Sequence, residues 1–496
     1  MMDSILDTEQ MYAADRAAIA RGISAYRLID RAGVAAAEQI HVRWPTGKIL
    51  VLCGPGNNGG DGYRLASQLH CWGRAVRVME YAPQRARSAE AQAHREQCLV
   101  ALEPLDETAF EAADIVVDAL LGMGLQRPLS AALQTVLQSL QASSASICAI
   151  DVPTGIDGNG RCWAEAPLQA ALTITFFRKK LAHVLAPSRF LCGEIKVVDI
   201  GLCEEDVTPP SYLYENQPAL WQSAIPWPQP LQHKYQRGAA LVYGGSEMTG
   251  AARLSALACA RAGAGATTIA CASDVWAIYA QSMQSVMVKR WHSLSQAAAL
   301  SHSSTYQAVL IGPGLAPEPS TQELVMRSLS QTQASSWVVD AGALTAFASQ
   351  PESLFEGIHT SAAQVILTPH EGEFARLFPD LALHSNQKNK VERARQAAAR
   401  SGAIVLLKGS DTVVASPDGR AAVQTQSSPY LASAGSGDVL AGMMTGLLAQ
   451  GMSPWLAANM AVWMHSQAGL ILGAGLIAED LVQSIPTIWQ QIGRMN

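Results

Sequence analysis

Apolar and polar positions fall into a repeating block pattern along this chain. From Lys48 onward, short apolar runs, each closed by glycine, proline or aspartate, alternate with longer stretches of helical periodicity. The runs lie at 49–52, 76–79, 115–118, 147–151, 172–176 and 195–199. Apolar runs of this length between helices predict strands of a parallel sheet, buried on both faces. The alternation breaks over 208–232, where Pro209, Pro210, Pro226, Pro228 and Pro230 leave few periodic apolar positions. Such a stretch reads as a linker. The pattern restarts after His233, with runs at 240–243, 308–311, 337–340, 365–367 and 404–407. Two α/β domains are therefore expected, 1–215 and 233–496, joined by a proline-rich linker over 216–232. Neither half repeats the motifs of the other, which argues against internal duplication.

Composition sharpens this picture. With 496 residues, 49% of them apolar, the chain is too long for one ordinary core and apolar enough for two. Only 15% of residues are charged and the formal net charge is −6, which argues against a nucleic-acid partner needing a clustered basic face. The 39 glycines favour tight turns and close helix packing. Nine cysteines occur without any CxxC pair, so neither a disulfide-stapled scaffold nor a zinc site is expected. The N-terminus has no basic segment followed by an apolar one, and a cytoplasmic protein is the expectation. Between Asp438 and Glu479 there is no Lys, Arg, Asp or Glu, but Pro454, Asn459, His465, Ser466 and Gln467 interrupt the segment. Two buried helices account for it better than a membrane span.

Candidate chemistry in the first half begins after the first strand. Gly54-Pro55-Gly56-Asn57-Asn58-Gly59-Gly60-Asp61-Gly62 precedes a helix expected from about Tyr63. Five glycines in nine residues let backbone N–H groups close on an anion at a helix N-terminus. Gly54-x-Gly56-x-x-Gly59, with Glu80 at a strand end further on, also fits a dinucleotide fingerprint. That fit supports an alternative, a nicotinamide-dependent dehydrogenase joined to a sugar or vitamin kinase. Asn57, Asn58 and Asp61 add side-chain oxygens that a plain pyrophosphate loop does not need. Asp118 and Asp151 each end an apolar run, where ligands of open parallel sheets bind. A second glycine-rich loop with a cation follows Asp118, and Val152-Pro153-Thr154-Gly155 follows Asp151. Asn58, Asp118 and Thr154 offer hard oxygen donors suited to an alkali or alkaline-earth cation.

Residues 8–210 resemble the N-terminal epimerase domain of the bifunctional NAD(P)H-hydrate repair enzymes. The resemblance rests on Leu28-Ile29-Asp30-Arg31-Ala32-Gly33, GPGNNGGDG at 54–62, DALLGMG at 118–124 and DVPTGID at 151–157. Ile29-Asp30 departs from the family's more frequent Met-Glu. The resemblance implies a Rossmann-like three-layer fold. It also implies that Asn57, Asn58, Gly59, Gly60 and Asp61, with Gly122, Met123, Gly124, Leu125, Gln126, Arg127 and Pro128, hold the hydrated dinucleotide. Asp151 would act beside the hydrated ring, and K+ would sit on Asn58, Asp118 and Thr154.

The second half has no GxxxxGK[ST] loop. Instead Leu431-Ala432-Ser433-Ala434-Gly435-Ser436-Gly437-Asp438 opens a helix expected at 439–448, and its N–H groups would cradle a phosphate in transfer. Asp438 is placed either as the base for a substrate hydroxyl or as a simple helix cap. Lys408-Gly409-Ser410-Asp411-Thr412 and Thr368-Pro369-His370-Glu371 each follow a strand run. His370 is read as a ligand contact rather than a satisfied structural histidine. Residues 225–494 resemble the ribokinase-like NAD(P)H-hydrate dehydratase domain, through GGSEMTGAA at 244–252, IGPGL at 311–315, TPHEGEF at 368–374, KGSDT at 408–412 and AGSGDVLAG at 434–442. The resemblance implies hydrate contacts from Ala251, Gly314, His370 and Asp438. It implies nucleotide contacts from Lys408, Gly409, Ser410, Asp411 and Thr412, and from Ser428, Pro429, Tyr430, Leu431, Ala432, Ser433, Ala434, Gly435, Ser436 and Gly437. Mg2+ would accompany ADP or ATP, and both domains imply a homo-oligomer. A third alternative is a dinucleotide sensor with an inactive kinase domain.

Overall fold

Seven short apolar segments of the N-terminal half become strands: β1 (Ile49–Cys53), β2 (Val76–Glu80), β3 (Leu102–Pro104), β4 (Ile115–Ala119), β5 (Ser146–Ile150), β6 (Leu172–Phe176) and β7 (Glu194–Val198). β1 and β4 are buried throughout, as expected of central strands covered on both faces. The computed structural model describes residues 4–383 and 388–495. It divides into two compact units, one ending at Leu213 and one beginning at Tyr214.

The first unit's sheet runs β3-β2-β1-β4-β5-β6-β7, and every pairing is parallel. Strand order reverses between β1 and β4, so the loops after these two strands flank the crevice where open α/β sheets bind ligands. One face is packed by α1 (Thr8–Ala20), α2 (Ala25–Arg43) and α3 (Asn57–Cys71) through Met11, Ile40, Tyr63 and Leu69. The opposite face is packed by Leu133, Leu137 and Leu140. α3 begins at Asn57 rather than near Tyr63. Glycines are poor helix formers in isolation, yet here Gly59, Gly60 and Gly62 are buried in the helix. A Cβ on Gly54 would run into the Leu120 carbonyl; this close approach is what the glycine permits.

The second unit is built on a ten-stranded sheet. Its strands are β8 (Leu213–Glu215), β9 (Ala239–Tyr243), β10 (Ala266–Ala272), β11 (Met287–Trp291), β12 (Ala308–Ile311), β13 (Ser336–Val339), β14 (Gln364–Leu367), β15 (Ile404–Leu407), β16 (Val413–Ala415) and β17 (Ala421–Val423), in the order β11-β10-β9-β12-β13-β14-β15-β16-β17-β8. Pairings from β11 to β15 are parallel, and β16 and β17 add antiparallel. Order reverses between β9 and β12. The helix Ser436–Ala449 crosses Thr249–Arg261 so closely that a Cβ on Gly442 would run into the Ser255 carbonyl, and one on Gly446 into that of Cys259.

The stretch 216–232 is not the linker expected. Trp221 is fully buried in the second unit's core, with its ring 5.3 Å from that of Trp463. The Asn216 N–H donates to the Val423 carbonyl at 2.8 Å, and its amide donates to Gln424 and to the Asn459 carbonyl, both at 2.8 Å. The prolines limit regular structure but leave the aromatic side chain free to anchor an irregular segment; 227–236 is exposed without a break. No helix among the described residues is long and apolar enough to cross a membrane. Segment 436–472 forms two buried helices, Ser436–Ala449 and Pro454–Leu472.

Candidate active sites

In the first unit the loops after β1, β4 and β5 converge. Asp118, in β4, is fully buried; its carboxylate accepts from the Thr154 hydroxyl and N–H, both at 2.7 Å, and from the Leu120 N–H at 3.2 Å. Burial pushes it up to about 6 despite those bonds. The Thr154 hydroxyl also accepts from the Leu121 N–H at 3.1 Å. Asn58, in the first turn of α3, stands across Gly122: a Cβ there would lie 3.3 Å from both the Asn58 amide and Asp151 Oδ2. The Asn58 amide nitrogen is buried without a partner. Met123 directs its N–H to Asp151 Oδ2 at 3.0 Å, while Gly124, Gln126, Arg127 and Pro128 are exposed. Asn57 accepts from the Ser88 hydroxyl at 2.7 Å.

Asp151 is the most tightly held group here. It follows β5 with φ of 66°, a left-handed conformation unusual outside glycine. Lys180 Nζ lies 3.0 Å from its Oδ1, to which Thr175 also donates at 3.2 Å. Burial drives the carboxyl upward, but the charge and hydrogen bond of Lys180 outweigh it, with help from the Met123 N–H, and leave Asp151 below the ordinary carboxylate range. Two other acids behave oppositely. Burial, with repulsion from Asp151, raises Asp61 well above its ordinary value. Burial also raises Asp15 to about 6. The site thus sets one carboxylate held low beside two held high, an arrangement suited to acid–base work. Lys180, Thr175, His183, Tyr12 and Asp15 were not singled out from sequence. They come from β6, the turn after it and α1, and only the fold gathers them.

Glu80 decides against the dehydrogenase alternative. It ends β2, where a ribose-binding acid would stand. It is instead held by Arg95 through bonds of 2.6 and 2.8 Å, by Tyr63 at 2.7 Å and by Arg87 at 3.3 Å. Its oxygens are committed to side chains of the unit itself.

In the second unit the loops after β9, β12, β13, β14 and β15 lie at the carboxyl edge of the parallel strands. Gly245 packs against the backbone of Gly314, and a Cβ on Gly314 would lie 3.5 Å from that of Ala251. His370 caps the helix Glu371–Leu377: its Nδ1 accepts from the Gly372 N–H at 2.9 Å. Its side chain remains 55% exposed, with Nε2 3.6 Å from Glu373. It is therefore both a cap and an available edge. Gly435, at φ 84°, turns the chain into the helix Ser436–Ala449. Ser436 bonds to His465 Nε2 at 2.9 Å, and the Ser433 hydroxyl is buried with no partner. Ser255 donates to the Asp438 carbonyl at 2.9 Å. The Asp438 carboxyl is pushed up to about 6 by burial and by Asp340, against the pull of Lys408.

Lys408 reaches back to Asp340 at 2.9 Å and towards Glu373 at 3.8 Å; a Cβ on Gly437 would be 3.6 Å from its ammonium. Asp411 pairs with Lys390 at 2.7 Å, and Thr412 closes its own turn onto Gly409 at 2.8 Å. The 408–412 loop is thus rigid and puts one cation beside the glycine-rich helix start. Asp340 and Lys390 were not identified from sequence as site residues. The strand-end position of Asp340, the same signal that marked Asp118 and Asp151, would have found it. Among the described residues no group of three or more His, Cys, Asp or Glu side chains is arranged to hold a metal ion.

Fold and sites together define a two-centre α/β protein, a Rossmann-like unit followed by a ribokinase-like one, each with a carboxylate beside a glycine-rich loop. Residues 239–488 match the NAD(P)H-hydrate dehydratase family and residues 25–182 the family described as YjeF-related protein N-terminus. The bifunctional NAD(P)H-hydrate repair enzyme of Moorella thermoacetica is 33% identical, over 94% of this chain and 92% of its own. That of Gloeobacter violaceus is 34% identical over 96% of each chain. A ribokinase-like superfamily protein of Enterococcus faecalis shares the fold of the second unit, with a TM-score of 0.50 at 24% identity, covering 57% of this chain and 96% of its own. The chain belongs to the bifunctional NAD(P)H-hydrate repair enzyme family.

Proposed function

We propose that the chain restores hydrated NADH and NADPH in two steps, one at each centre. Hydration of the dihydronicotinamide ring leaves a hydroxyl on C6, next to the ring nitrogen. In the first unit that hydroxyl leaves with the help of a proton, the nitrogen lone pair forms a cationic ring, and water returns to either face. Ionised Asp151 stabilises the cation, and the N–H groups of the loops after β1 and β4 hold the phosphates. K+ fits the donors present: Asp118 supplies one full charge, Thr154 and Asn58 supply neutral oxygens, and a cation would relieve the burial that pushes Asp118 up to about 6. When bound it would order these loops and offset phosphate charge.

In the second unit Asp438 takes the C6 hydroxyl proton as that oxygen accepts a phosphoryl group from ADP, leaving AMP, or from ATP. The N–H groups of Gly435 and Gly437, with Lys408, face the transferring charge. Loss of phosphate from C6 and of a proton from C5 restores the double bond. Mg2+ fits as a companion of the nucleotide phosphates, since Asp340 is already engaged by Lys408 and by the Ala341 N–H at 2.8 Å. Self-association and a cytoplasmic location belong to the same proposal.

One observation carries the reading: each unit sets a glycine-rich helix start, at Gly56–Gly62 in the first and Gly435–Gly437 in the second, near a carboxylate, Asp151 and Asp438. The test is incubation with hydrated NADH, K+, Mg2+ and ADP. Absorbance at the reduced-nicotinamide band should return; its failure to return with either ADP or ATP would refute the reading.

A further inference from the structure

The Lys180 ammonium is 1% exposed, and its three N–H bonds are all accounted for. It donates to Thr175 Oγ1 at 2.7 Å, to the Phe176 carbonyl at 3.1 Å and to Asp151 Oδ1 at 3.0 Å. None is left for a substrate. The turn that carries it also grips the Asp151 backbone. The Lys180 N–H donates to His183 Nδ1 at 2.9 Å, so the ring proton sits on Nε2, which donates to the Asp151 carbonyl at 2.8 Å. Burial, then Lys180, hold His183 down to about 4, keeping it neutral and in this tautomer. One turn, 180–183, therefore holds Asp151 by both side chain and main chain, in a left-handed conformation that turns Oδ2 toward Gly122 and Met123.

We propose that Lys180 is the positioning residue of the epimerising centre: it fixes the Asp151 carboxylate as an oriented anion and does not itself touch the hydrate. A buried ion pair is a poor device for stability alone, since apolar side chains of similar volume do as well or better. Here one oxygen of the pair is tied to the ammonium, and the other is offered to the loop proposed to carry the hydrate. The groups facing Asp151 are Lys180 and His183 from the turn, Thr175 from β6, Tyr12 and Asp15 from α1, Asp61 from α3 and Cys192. Four of them, Tyr12, Asp15, Asp61 and Cys192, have their own ionisation opposed by Asp151, and Lys180 is the cation in contact with it.

The inference rests on the first unit being the epimerising one. Its test uses the full chain without nucleotide, so that dehydration is silent, and follows interconversion of the two hydrates against pH by epimer-resolving chromatography. In Lys180→Met the ammonium no longer opposes burial, Asp151 holds its proton to higher pH, and the acid limb of the profile should move upward. At a fixed acidic pH the rate should then fall about tenfold for each pH unit the limb moves, with recovery in alkali. Lys180→Arg should retain most of the wild-type profile. Thr175→Val, which removes one anchor of the ammonium and its own bond to Asp151 but leaves the charge, should move the limb the same way by less. If Lys180→Met does not fold, a Thr175→Val shift that Lys180→Arg does not share in size or sign still separates the ammonium's charge from the hydroxyl's bond. An equal loss at every pH, or an unmoved limb in the folded variants, overturns the role of Lys180. A wild-type chain that does not interconvert the hydrates overturns the functional reading beneath it.

Discussion

Asp151 is buried and Asp438 half-buried, each near a glycine-rich loop, yet their neighbours drive them apart. Lys180 leaves Asp151 below the ordinary carboxylate range, whereas burial and Asp340 carry Asp438 up to about 6. Each acts as an anion in the proposed chemistry. A group whose value is raised loses its charge first as pH falls, so dehydration should decline as pH drops through about 6. Epimerisation should persist to more acidic conditions. Separate initial rates between pH 5 and 8 check this; coincident acid limbs would count against the assignment. Asp118, Asp151 and Asp438 were legible in sequence because a strand end or a glycine-rich loop is a local signal. Lys180 and Asp15 were not, since no local pattern says that the turn after β6 and the helix α1 meet at Asp151.

At the scale of elements, the helix Ser436–Ala449 carries Asp438 and owes its position to glycine. A side chain at Gly442 meets the Ser255 backbone, which no rotamer change relieves. Gly442→Val should lower stability by about 1–3 kcal/mol or more, read from urea unfolding of the second unit. Dehydration should fall with it, since Ser255 also bonds to the Asp438 carbonyl. A neutral substitution would show that the two helices do not fix the centre. The central strands of both sheets, β10 apart, were readable from apolar runs alone. β3, β8, β10, β11, β16 and β17 were overlooked, and β11 shows why: Lys289 and Arg290 are exposed on it, so this edge strand lacks the apolar run of a central one. The start of α3 was placed late because its glycines argue against helix, and packing against the sheet overrides propensity.

For the whole molecule, the proline-rich stretch sets where the chain can be divided. Prolines spoke for a linker, but Trp221 and Asn216 belong to the second unit's core and sheet edge. A fragment of residues 214–496 should fold and dehydrate one hydrate epimer, and residues 1–213 should interconvert the epimers. A fragment of 233–496 lacks Trp221, whose loss by truncation costs about 3–5 kcal/mol in a well-packed core, and should unfold at markedly lower temperature than 214–496. Equal thermal midpoints of the two longer fragments would place the boundary elsewhere.

The central claim is that two separable centres act in sequence on one substrate. The most direct measurement is the plateau of reduced-nicotinamide absorbance after exhaustive incubation of an epimeric mixture of hydrated NADH with ADP, Mg2+ and K+, over a time short against spontaneous epimerisation. Wild-type chain should recover the whole mixture. Asp151→Ala should recover only the epimer the second unit accepts, and adding Asp438→Asn protein, itself inactive in dehydration, should restore the full plateau. A plateau lowered alike by both substitutions, or one the mixture fails to restore, would contradict a division of labour between the two units.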